Sequence, residues 1–118
     1  MGDLDAGDLR ASRYGRLEPG NLAANSRLVE RVAAMAEQKG LTAAQLSLHW
    51  VSSQGEDVCP IPGTTKIAHF DDNVAVMNQS MLTPQEREAV ALCVPKEEVK
   101  GNRYAGSDPI RGTYKANM

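Results

Sequence analysis

Apolar residues return at helical spacing in four stretches of the chain, and one short dense apolar run interrupts them. Leu28, Val32, Met35 and Ala36 form the first stripe, with Arg27, Glu30, Arg31 and Glu37 on its wet side. That pattern predicts a helix capped at Asn21 or Asn25, running to about Lys39 and stopped by Gly40. Thr42-Ala43-Ala44-Gln45 then spells a capping box, in which the Thr hydroxyl and the Gln amide satisfy free N–H groups at a helix start. Leu46, Trp50 and Val51 are the inward positions of this second helix, and Gly55 ends it. His49, beside Trp50, reads as a partly buried surface histidine. A third helix covers about Lys66 to Met77. Thr83-Pro84-Gln85-Glu86 opens a fourth, with Thr at the cap, Pro at the first helical position and Glu closing the box. Val90, Leu92, Cys93 and Val94 carry that helix to Pro95.

The dense run is Val58-Cys59-Pro60-Ile61. It is too short and too rich in proline for a helix, and it suits a strand buried on both faces. Pro60 and Pro62 donate no ladder hydrogen bond, so the strand must be short. A buried strand needs neighbours, because each unpaired backbone group costs about 1–3 kcal/mol. No second strand is evident, so residues 58–61 are expected to pair with another chain or not to form a sheet at all.

Beyond that run, Gly63-Thr64-Thr65-Lys66 leads straight into the third helix. A glycine that admits close approach, two hydroxyls, a lysine and a helix N-terminus together suit a phosphate. The same residues also make an ordinary strand-to-helix connection with a solvated lysine.

The two ends are polar. Residues 1–20 carry Arg10, Arg13 and Arg16 among small residues and read as a surface loop or arm; residues 96–118 read as a C-terminal tail. With 118 residues the chain is the size of one domain. A net charge of −2 and 4% aromatic residues argue against a nucleic-acid partner. No apolar run approaches the ~20 residues that span a bilayer, and the start has neither a secretory h-region nor a myristoylation signal, so no membrane insertion is expected. The two cysteines, Cys59 and Cys93, and the two histidines, His49 and His69, have no metal-ligand spacing. The cysteines are expected to be small buried groups in a reducing intracellular compartment.

The order Thr42-Ala43-Ala44-Gln45-Leu46-Ser47-Leu48-His49-Trp50, Gln54-Gly55-Glu56-Asp57-Val58, Pro60-Ile61-Pro62-Gly63-Thr64 and Asp72-Asn73-Val74 resembles the C-terminal end of an aldo-keto reductase. Leu17-Glu18-Pro19-Gly20-Asn21 resembles the loop before the family's penultimate helix, and Leu82-Thr83-Pro84-Gln85-Glu86 the start of its last. The resemblance runs with little gap from about residue 17 to 94. It implies an α/β chain: a C-terminal fragment of a TIM (β/α)8 barrel, mostly helical, with one barrel strand at about 58–61. In that frame residues 21–95 form the last barrel segment.

Such a barrel usually has about 250 residues and eight strands. The family's catalytic Asp, Tyr, Lys and His match no stretch here, so the resemblance implies no catalytic residue in this chain. It implies instead half of an NADP site, with weak or absent binding by this chain alone. Gly63, Thr64, Thr65 and Lys66 fall where the 2′-phosphate is held. His69 falls where many members place an arginine, and Asp72 and Asn73 where a Glu-Asn pair meets the adenine. His69 offers less to a dianion than arginine's fixed fork, and Asp72 is one methylene short. The implied function is the cofactor-clamping part of an NADP-dependent carbonyl reductase of the cytoplasm. The competing expectation is a non-catalytic accessory subunit of a larger assembly derived from such an enzyme.

Overall fold

In the computed structural model residues 14–102 are described. The expected arm and tail residues Arg10, Arg13, Tyr104 and Tyr114 lie outside them. Four helices follow in order: α1 Pro19–Gln38, α2 Ala43–Ser52, α3 Ile67–Ala75 and α4 Pro84–Cys93. Short 3-10 turns stand at Gly15–Leu17 and Val76–Asn78. The chain divides into two compact units, Met1–Leu28 with Lys96–Met118, and Val29–Pro95.

In the first unit, α1 starts earlier than its asparagines suggested. Pro19 occupies the first turn, where its missing N–H goes unmissed and its fixed φ already suits a helix. Asn21 and Asn25 therefore do not cap. The Asn21 side chain donates to the Gly15 carbonyl at 2.8 Å. The Asn25 amide donates to Arg16 O at 3.1 Å and to Lys100 O at 2.9 Å, and its oxygen accepts from Lys100 N at 2.9 Å. One side chain thus brackets two loops that are distant in sequence. Arg16 N donates to Asn102 O at 3.2 Å beside it.

In the second unit, α1 ends in a Schellman motif. Gly40 adopts φ +67°, Gly40 N donates to Glu37 O and Leu41 N to Ala36 O. That turn brings Leu41 against a small core of Ala36, Leu46, Leu82 and Val90, with Val32, Met35 and Trp50 packed around it. The α2 capping box forms as expected, with Gln45 N to Thr42 Oγ1 at 3.1 Å and Thr42 N to Gln45 Oε1 at 3.0 Å. The α4 box between Thr83 and Glu86 forms too, with Pro84 in the first turn.

The α2 helix stops at Ser52, short of Gly55, because its last carbonyls are taken up locally and by α4. Ser53 and Gln54 side chains donate to Trp50 O, and the Arg87 guanidinium donates to Ser53 O at 2.8 Å. Trp50 returns the link, its indole N–H donating to Arg87 O at 3.2 Å. Val51, expected to point inward, is exposed, because α2 turns only one face to the core. His49 is not at the surface: it is 1% exposed. Its Nε2 lies 2.8 Å from Gln79 Oε1, while Nδ1 has no partner among the described residues.

The expected strand at residues 58–61 is not formed, and there is no strand among the described residues. Val58, Cys59 and Ile61 lie exposed in irregular backbone, Ile61 at 93%. The reason is the one the sequence raised: Pro60 and Pro62 carry no N–H, and no neighbouring strand supplies a ladder. Cys59 is accordingly exposed, where a buried thiol was expected; Cys93 is half-buried and both are free. Among the described residues no helix is long and apolar enough to cross a membrane.

Candidate functional site

The candidate site is the turn before α3 together with the outer face of α3. Gly63, Thr64, Thr65 and Lys66 are all exposed. A Cβ built on Gly63 meets nothing within 4 Å, so the glycine leaves open space beside the turn. Thr64 shapes the turn: its Oγ1 accepts from Lys66 N at 3.1 Å. This Ser/Thr-type turn sets Lys66 in extended backbone, φ −117° and ψ 128°, as the N-cap of α3.

Lys66 makes no side-chain capping bond. The opening amides of α3 consequently have no partner within the helix, and their dipole faces outward. Those amides, the Lys66 ammonium and the Thr65 hydroxyl fit an anion such as a phosphate. The Thr64 hydroxyl is already engaged by the backbone and offers less.

His69 is exposed on the first turn of α3, and Asp72 and Asn73 are half-buried on the next. Spacings of three and four residues put these three side chains on one helix face. Asp71 and Asp72 bring two carboxylates to the same helix. Their charge works against a dianion, and His69 is a weak counterweight. The expected residues thus form two groups, the turn and the helix face. No side-chain hydrogen bond joins the groups among the described residues.

Two features of the site left little trace in the sequence. The first is an apolar groove of about 330 Å³ floored by Leu48, Cys59, Pro60, Phe70, Val74 and Met77, with Asn73 on its edge. It exists because α2 packs on α3 and the irregular residues 59–62 run alongside. The second is Gln45, whose side-chain Nε2 donates to Asp72 O at 3.1 Å. Its capping role was legible from spacing alone. The second bond could have been suspected only from the choice of Gln, where Glu caps equally well.

A model of the Aldo/keto reductase family matches residues 2–94. Among curated proteins, the chain is 42% identical over 91 residues to a "Probable aldo-keto reductase 1" of Glycine max. That alignment covers 77% of this chain and 26% of the relative, so the chain spans about a quarter of the relative's length.

Proposed function

The chain belongs to the aldo/keto reductase family, and we propose that it supplies the C-terminal, cofactor-clamping part of an NADP-dependent carbonyl reductase. In this reading Gly63, Thr64, Thr65 and Lys66 hold the 2′-phosphate side of the adenosine. His69 reaches toward the same phosphate, and Asp72 and Asn73 meet the adenine. When bound, the cofactor supplies the hydride that a carbonyl substrate accepts. The catalytic groups, including the proton donor, come from outside this chain.

The observation that carries the reading is the uncapped start of α3, with open space at Gly63 and an exposed Lys66 in front of it. TIM barrels commonly place phosphates at a helix N-terminus beside their last two loops. The pair Asp71 and Asp72, together with His69 in place of a fixed cation, predicts only a shallow preference for NADPH over NADH.

A partner completes the site by pairing with residues 58–61, whose exposed Val58 and Ile61 and unladdered backbone favour it. That observation equally favours a second reading, an accessory subunit without catalytic duty. Mixing this chain with a polypeptide carrying the remaining barrel strands separates the two. The first reading predicts NADPH oxidation with an aldehyde, and Lys66→Ala weakening NADPH affinity by about 10–100-fold, the worth of one charge-assisted hydrogen bond. A stable complex that neither binds NADPH nor oxidises it leaves the accessory role.

A further inference from the structure

Gln45 is 7% exposed and spends every polar atom of its side chain on two helices. Its Oε1 accepts from Thr42 N at 3.0 Å, which closes the start of α2. With the oxygen fixed there, the amide plane is set, and Nε2 points across to α3, donating to Asp72 O at 3.1 Å. Asp72 O lies in the last turn of α3, where carbonyls run short of donors. Val76 N–H, which in a longer α-helix would reach back to Asp72, is directed at Val74 O instead. Gln45 supplies the donor that the helix end lacks.

We propose that Gln45 is a positioning residue for the nucleotide clamp: its tether to Asp72 O fixes where Asp72 and Asn73 stand on α3. This rests on the cofactor-clamp reading above. Gln45 touches no nucleotide; it acts through the backbone of α3. Leu46, the next residue, is fully buried in the core, so the tether springs from a helix turn packed against that core. The tether itself is the Gln45 amide meeting the Asp72 carbonyl.

Two substitutions separate the capping bond from the tether. Gln45→Glu retains an oxygen for Thr42 N, since Glu and Gln both complete a capping box, but has no N–H for Asp72 O. Thr42→Ala removes the hydroxyl that accepts from Gln45 N and leaves the amide tether in place. Amide hydrogen exchange on the full chain should show residues 73–78 exchanging about tenfold faster in Gln45→Glu, with the α2 start unchanged, and the reverse pattern in Thr42→Ala. NADPH titration of the complemented protein should show about tenfold weaker binding for Gln45→Glu and no change for Thr42→Ala. If Gln45→Glu loses helical signal, Gln45→Met carries the same expectation for residues 73–78 without placing a carboxylate there. Unchanged exchange at residues 73–78 in Gln45→Glu and in Gln45→Met overturns the tether. Faster exchange with unaltered NADPH affinity overturns the positioning role. Wild-type complemented protein that binds no NADPH overturns the clamp reading itself, and the positioning role with it.

Discussion

Glu86 serves two neighbours. One carboxylate oxygen accepts from Thr83 N at 2.7 Å and closes the capping box of α4, and the other meets the Lys39 ammonium. The hydrogen bond to Lys39 is the chief cause, and the Thr83 bonds the next, of a carboxyl held down to about 2 from its ordinary 4.5. The folded group is thus harder to protonate than the unfolded one. Its contribution is fully present above pH 4.5 and is lost as pH falls from there toward 2. The pair is partly exposed, so salt screens it and the effect is modest. Glu86→Gln keeps an acceptor for the cap but removes the charge. Thermal melts followed by circular dichroism should show the variant slightly less stable than the wild type near neutrality, with the difference closing as pH falls from 4.5 toward 2.

At the scale of elements, the contacts that place the helices are side-chain amides reaching across, and the core they surround is small. Gln79, just past the second 3-10 turn, holds His49 of α2 through a 2.8 Å bond. With Gln79 Oε1 accepting, His49 Nε2 is the donor of this bond. Gln79→Leu strands that buried donor and should cost about 1–3 kcal/mol, measured by urea titration. Gln79→Glu, which still accepts, should cost less.

These links explain what could be read in advance. Both capping boxes were legible, since a box needs only two residues three positions apart. The stop at Gly40 was legible for a similar reason: a left-handed residue after a helix is almost always glycine. The Asn25 bracket, the Gln45 tether and the Gln79–His49 pair were not, because a long-range amide bond leaves no period in the sequence. The strand at 58–61 shows the opposite failure: its local pattern was right for a strand, but a ladder belongs to two strands at once.

At the scale of the molecule, many apolar side chains among the described residues lie uncovered. Ile61, Ile67, Met77 and Leu92 are 93%, 82%, 84% and 71% exposed, and Phe70 and Val74 open onto the groove. Scattered singly they would need no account, but Phe70, Val74 and Met77 line one groove, an apolar surface of the kind that marks a contact site. The isolated chain should bind an apolar fluorescent dye and self-associate with rising concentration, as followed by sedimentation. Adding a polypeptide that supplies barrel strands should suppress both. Dye binding that persists in the complex would separate the patch from that partner.

The indole of Trp50, half-buried and hydrogen-bonded to Arg87 of α4, is the only tryptophan in the sequence. Under indole-selective excitation, which leaves the tyrosines dark, the emission therefore comes from a single, known place. A red shift during unfolding would time the departure of α4 from α2, with no label attached.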